Sequence, residues 1–261
     1  MDSMPLWGAL LSTIGLVLVT HEVGFRLGAL RSDAQAKDGH SQVFSMTGAH
    51  LGLLAFILAF SFSMSAGHFS DRKQLLLEEF NAITTAYLRA GLVADPQGSN
   101  IRSLLARYTA ARATFGSQDT VAGIIRQSEA LQRDIWNEVK QLPKKEKVTV
   151  MDSLLIQSVN TVFDLHEKRV FAGLHNRIPA NIWAALYVIL ILSMVGMGFS
   201  AGLSSKRNSI ASFALAMSFS MVMFVIADLD RPISGLMRAD QSMMVGLAEK
   251  LQAAQSGQST Y

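Results

Sequence analysis

Four long stretches of the chain contain no Asp, Glu, Lys or Arg: 3–21, 39–70, 178–205 and 208–227, of 19, 32, 28 and 20 residues. A membrane-spanning helix needs roughly 20 mostly apolar residues, so each stretch predicts one span. The first is expected from about Pro5 to Thr20, reaching toward Leu27, and the second within Met46–Phe69. The third starts near Pro179, whose fixed φ and missing N–H suit a first helical turn, with Trp183 and Tyr187 where interfacial aromatics sit. The fourth covers Asn208–Ala227 and follows the short turn Ser204-Ser205-Lys206-Arg207, so spans three and four form a hairpin. The opening Met1-Asp2-Ser3-Met4-Pro5 lacks the positive charge of a cleavable signal peptide, which predicts that the first span is retained.

The segment between spans two and three has a different pattern. Leu76, Phe80, Ile83, Tyr87 and Leu88 recur at three- and four-residue steps, so the second span is expected to continue as helix beyond the membrane surface. Asp95–Asn100 reads as a turn. A second stripe follows at Ile101, Leu104, Leu105, Tyr108 and Phe115, and Gly116-Ser117-Gln118-Asp119 breaks it. A third carries Ile124, Leu131, Ile135, Val139 and Leu142 and ends at Pro143-Lys144-Lys145. The fourth, Val148 to Asn176, shows Leu155, Val159, Val162 and Leu165 on one face and is expected to run into span three. Four such helices joined by short turns predict an antiparallel bundle. After span four, Asp230 as an N-cap and Pro232 in a first turn predict a helix restart. Its stripe would be Ile233, Leu236, Met237, Met244, Leu247 and Leu251, lying in the headgroup interface or packing on the insert.

The expected architecture is therefore an all-α membrane protein. Four transmembrane helices in two pairs flank an inserted extramembrane helical bundle, and an amphipathic C-terminal helix follows. The division is 1–69 for spans one and two, 70–178 for the insert, 179–228 for spans three and four, and 229–261 for the C-terminal helix and tail.

Composition sharpens this picture. Of 261 residues half are hydrophobic and only 16% charged, against about 25% in soluble domains. The stretch 69–180 holds 27 of the 43 charges, which excludes an ordinary soluble globule for the remainder. With no Cys there is no disulfide framework, thiolate metal site or cysteine nucleophile. The six His show no HxxxH or HExxH spacing, and no metal or cofactor is expected. Basic and acidic residues interleave, so no nucleic-acid surface is expected. The chain also lacks a P-loop, GxGxxG or GxSxG and any visible nucleophile–base pair, so it is not read as an enzyme. Arg26, Arg31 and Lys37 follow span one, and Lys206-Arg207 follow span three, on one membrane side. Short basic loops favour the cytoplasm, which favours an extracytoplasmic insert, against which Arg72, Lys73, Lys168, Arg169 and Arg177 stand at the insert's own ends. The lipid bilayer, a plasma membrane and specifically a bacterial inner membrane, is the expected surrounding.

Asp71-Arg72-Lys73 followed by Glu78–Ala90, Asp228-Leu229-Asp230-Arg231-Pro232 with Gly235, and Arg177-Ile178-Pro179 resemble segments of a bacterial and plant membrane family. That family is described as bestrophin-like and carries a domain of unknown function. Its layout of two spans, helical insert and two spans matches nearly the whole chain, although a Gly is frequent where this chain has Thr84. The family's name implies a relation to pentameric anion channels.

Candidate sites fall into three groups. Asp71, Arg72, Asp228, Asp230 and Arg231 lie at the ends of spans two and four, on one membrane face, either drawing ions to a mouth or capping helices and pairing. Glu78, Glu79, Asn81 and Arg89 share the first insert helix and read as a polar network reaching the helix that begins near Val148, through Glu167 or Arg169. Phe56 and Phe60, four apart, either form an apolar constriction in a pathway lined by span two or face lipid. The GxxxG pairs Gly24/Gly28, Gly48/Gly52 and Gly198/Gly202 let helices approach within one chain or between copies. Two functions follow: a homo-oligomer passing inorganic ions, or a non-conducting sensor or adaptor whose bundle binds a ligand or partner.

Overall fold

The structure is a computed structural model that describes residues 5–31, 37–114, 121–142, 149–204, 209–232 and 235–256. All regular structure among them is helical: α1 (Leu6–Ala29), α2 (Lys37–Ala90), α3 (Gln97–Ala113), α4 (Val121–Val139), α5 (Val150–Leu174), α6 (Ala180–Leu203), α7 (Ser209–Asp230) and α8 (Ser242–Gln255). The chain divides into two compact units, Met1–His68 with Arg177–Arg231 and Gly235–Met237, and Phe69–Asn176 with Pro232–Ser234 and Arg238–Tyr261. The expected breaks at Gly116–Asp119 and Pro143–Lys145, most of the Ser204–Arg207 turn, and the stripe residues Phe115 and Ile233 lie outside the described residues.

The first unit holds helices long and apolar enough to cross a membrane in four places: Leu6–Ala29, the membrane part of α2, Ala180–Leu203 and Ile210–Asp230. Its interior gathers Val17, Leu54, Leu58, Leu186, Leu190, Met194, Met223 and Ile226. In lipid, packing rather than the hydrophobic effect holds helices together, and α1 and α6 show how. A Cβ on Gly24 or Gly28 would lie 2.2 Å from the carbonyl oxygens of Val195 and Phe199, and one on Gly198 or Gly202 would lie 2.0 and 2.2 Å from those of His21 and Phe25. The four glycines thus interlock two backbones that no side chain can separate. Hydroxyls tie α2 into the same unit. Thr47 Oγ1 donates to Gly196 O at 3.3 Å, Ser193 Oγ to His50 O at 3.3 Å and Ser65 Oγ to Ile226 O at 3.2 Å.

In the second unit, the continuation of α2 packs with α3, α4 and α5 around Ile83, Tyr87, Ile101, Leu105, Tyr108, Ile135, Leu155 and Val159. Burying each such side chain stabilises the unit by about 1.5–3 kcal/mol before entropy is counted. Thr149 opens α5 with a capping box, its hydroxyl accepting the Asp152 N–H at 3.1 Å while the Asp152 carboxylate accepts the Thr149 N–H at 2.8 Å. Met244, Leu247 and Leu251 of α8 join this core, so the C-terminal helix packs on the insert.

Three expectations are corrected. The turn over Asp95–Asn100 is shorter, because the Asp95 carboxylate accepts the Ser99 N–H at 3.1 Å and α3 already begins at Gln97. The helix from Val148 does not run into span three: α5 ends at Leu174, and Pro179 is the N-cap of α6. Pro179 has no N–H and biases Ile178 away from helical backbone, while the Ile178 N–H goes to the Asp230 carboxylate at 2.8 Å. Asp230 does not cap a new helix either. It is the last residue of α7, and the C-terminal helix starts at Ser242, leaving Leu236 and Met237 exposed in the connection.

Candidate functional site

Along the membrane part of α2 the two faces differ in kind. Leu54, Leu58, Ser61 and Ser65 are buried against the rest of the first unit. At 3.6 residues per turn the opposite face carries Ser45, Gly48, Ala49, Gly52, Phe56, Ala59, Ser63 and Gly67, all exposed. A Cβ on Gly48, Gly52 or Gly67 would meet nothing within 4 Å. Phe56 is 69% and Phe60 56% exposed, so the structure places both on this open side. Larger residues such as Phe44, Leu53 and Phe62 stand on the flanks. The outward faces of α1 and α7 carry more large residues, Trp7, Leu11, Val19, Val23 and Leu27 on one and Ile210, Phe213, Met217 and Met221 on the other, with Ser12, Gly15, Ala214 and Ser218 exposed among them. The exposed face of α2 is richer in small and hydroxylated residues.

The charged residues near the span ends divide between the units. In the first, Asp228, Asp230 and Arg231 come together in one buried turn at the end of α7. The Asp228 carboxylate, 2% exposed, accepts the N–H groups of Leu236 and of Met237, the latter at 3.0 Å. Gly235 closes this loop because a Cβ there would lie 2.8 Å from Asp228 O. Both carboxylates thus satisfy backbone amides that helix ends and turns leave without partners. In the second unit Asp71 is exposed, while Arg72 is buried with its guanidinium 5.9 Å above the Phe69 ring. Glu22, next to His21 in span one, pairs with Arg26 at 2.9 Å.

The polar network has a different membership from the expected one. Glu79, fully buried, is its centre. Its carboxylate accepts from Arg112 Nε at 2.8 Å, from Tyr108 Oη at 3.0 Å and from Arg169 Nη1. Arg169 Nη2 donates to Gln241 Oε1 at 2.7 Å, which ties the approach to α8 into the cluster. Having given its one proton to Glu79, the Tyr108 hydroxyl accepts from His166 Nδ1 at 3.2 Å, which assigns that tautomer. Glu78, Asn81 and Arg89 stay outside: Glu78 accepts from Gln74 at 2.9 Å, Asn81 is exposed, and Arg89 donates to Leu154 O at 2.8 Å. Sequence reasoning missed Arg112, Tyr108 and His166 as members.

Electrostatics follow from burial. Burial alone would raise the Glu79 carboxyl, but the Arg112 and Arg169 guanidiniums outweigh it and hold it below the usual carboxylate range. Burial, with Arg112 in support, lowers His166 to about 4, so the imidazole is neutral at pH 7. Burial and the Glu79 charge push the Tyr108 hydroxyl well above its ordinary value. One carboxylate against two guanidiniums leaves a buried excess of one positive charge. The cluster offers no nucleophile–base pair, and no group of three His, Asp or Glu able to hold a metal occurs among the described residues.

A comparison with curated proteins finds no match. Among solved structures, one described as "Crystal structure of a membrane protein P143A" superposes with a TM-score of 0.67 at 13% sequence identity, over 97% of this chain and 99% of that one. At that identity the likeness shows the fold alone, and the shared fold is that of a membrane protein. A family model for the bestrophin-like domain matches residues 11–244. That stretch takes in most of the first span, the other three, the helical insert and the start of α8, so this integral membrane protein belongs to the bestrophin-like family.

Proposed function

We propose that the protein assembles into a homo-oligomer that conducts inorganic ions along a path lined by α2, with Phe56 and Phe60 as its apolar constriction. The observation that carries this reading is the residue content of the open face of α2. A helix surface meant for lipid gains from large aliphatic side chains, whereas Ser45, Gly48, Gly52, Ser63 and Gly67 leave room for water or for a second helix. Two phenylalanines one turn apart within that face can narrow and dewet such a path. The family supports the reading, its name linking it to oligomeric channels. The basic residues after spans one and three favour an extracytoplasmic insert in a bacterial inner membrane.

A second reading rests on α2 itself, which runs as one 54-residue helix from the membrane part into the insert. Such a rod suits a non-conducting sensor or adaptor that passes a ligand's effect from insert to span. Ion flux in liposomes separates the two. The channel reading expects flux from the purified oligomer, raised severalfold by Phe56→Ala as the constriction widens. A monomer passing no tested ion, with or without the substitution, would leave the sensor reading.

A further inference from the structure

Within the first unit, a cavity of about 470 Å³ opens where α1, α6 and α7 begin or end. That volume lies within the range of sites that hold small molecules, about 300–1,000 Å³. Its rim carries Arg177, Asp230 and Arg231. Asp230 and Arg231 are buried, at 7% and 6% exposure, and Asp230 Oδ1 is already held by the Ile178 N–H. Two guanidiniums against one carboxylate give the rim a formal charge of +1. Below the rim the Trp183 and Tyr187 rings stand 6.4 Å apart on one wall. The hollow exists because the facing positions are small: Ala9, Ala184 and Ala227.

Position decides the ligand class. The cavity sits at the start of the first and third candidate spans and the end of the fourth, so its rim is at a membrane surface and its floor at the depth of lipid tails. Arginine forks match phosphate oxygens in pairs, and Trp and Tyr favour the boundary where one end of a ring is apolar and the other wet. A soluble anion would use the rim and leave the alanine-lined floor unfilled. A wholly apolar ligand would fill the floor and gain nothing from the net positive rim. Ser12, Ala180 and Ala184 are exposed at the edge, so the cavity can be entered from outside the unit.

We propose that this cavity binds one anionic phospholipid, its phosphate on Arg177 and Arg231 and part of an acyl chain along Ala9, Ala184 and Ala227. The assignment is independent of ion conduction, since its readout is bound lipid rather than flux. The test is native mass spectrometry of delipidated protein titrated with phosphatidylglycerol, phosphatidylcholine or inorganic phosphate. The expected result is one phosphatidylglycerol retained per chain, about tenfold more tightly than phosphatidylcholine, with that preference abolished by Arg177→Gln. Ala184→Phe, which fills the floor and keeps every charge, is expected to weaken retention severalfold, so the proposal stays testable should the arginine variant misfold. Equal retention of the two lipids by the unaltered protein would overturn the proposal. So would retention unchanged by Ala184→Phe, or displacement of the lipid by millimolar inorganic phosphate.

Discussion

Glu79→Gln is expected to destabilise the helical insert by about 3–5 kcal/mol, the usual cost of removing one partner from a buried ion pair. The neutral amide keeps the shape but leaves the Arg112 and Arg169 guanidiniums buried beside each other without a counter-charge. Both partners come from other helices, and Arg169 also holds Gln241, so α3, α5 and the approach to α8 should loosen together. Urea unfolding followed by far-ultraviolet circular dichroism measures this. Replacing Glu79, Arg112 and Arg169 together by Leu, Met and Met should restore much of the loss, because buried ion clusters often trade evenly against apolar packing. The same experiment across pH carries a sign. His166 stays neutral in the fold down to about 4, whereas an unfolded His takes up its proton near 6.5. Stability is therefore full above about pH 6.5 and falls as pH drops toward 4. Glu79 continues the fall: its contribution is present above the ordinary carboxyl value of 4.5 and is lost as pH falls through its lower folded value. His166→Gln should flatten the profile between 6.5 and 4 while leaving the more acidic limb.

Gly198→Val is expected to abolish the folded membrane unit. Its Cβ would lie 2.0 Å from the His21 carbonyl oxygen and 2.8 Å from the Phe25 amide nitrogen, both backbone atoms that cannot turn aside. Overpacking that side chains can absorb costs about 1–3 kcal/mol, and this case should exceed it because α1 and α6 must part along their length. Recovery of monodisperse protein after detergent extraction is the measurement, with near-complete loss expected. Gly48→Ala is the internal comparison. Nothing lies within 4 Å of a Cβ there, so recovery should match the unaltered chain.

These two sites also show what can be read from sequence. The four spans were legible because lipid demands long uncharged runs, and the insert's helices because each buries one stripe. Chain-local signals misled where two elements share them. Asp230 and Pro232 form the pattern of a helix start, yet the carboxylate serves Ile178, 52 positions earlier. The Glu79 partners lie 29, 33 and 90 positions away, beyond any local rule. Their signal was nonetheless present. Arg112 continues the apolar steps of Ile101, Leu105 and Tyr108, and His166 and Arg169 continue those of Leu155, Val159 and Val162. A charge standing on a buried stripe must meet its opposite there. The three GxxxG pairs look alike in sequence. Two interlock and one is open, and which is which depends on the helix opposite.

The central claim is that the small-residue face of α2 meets water rather than lipid. Because the chain has no cysteine, one introduced at a time reports its own surroundings, and a thiol reacts with a charged, water-soluble reagent only where water supports the thiolate. In liposomes conducting ions, Ser63→Cys should be modified and flux should fall, while Val19→Cys on the bulky outward face of α1 should remain unmodified. A folded Ser63→Cys protein that resists the reagent, with flux unchanged, would contradict the account.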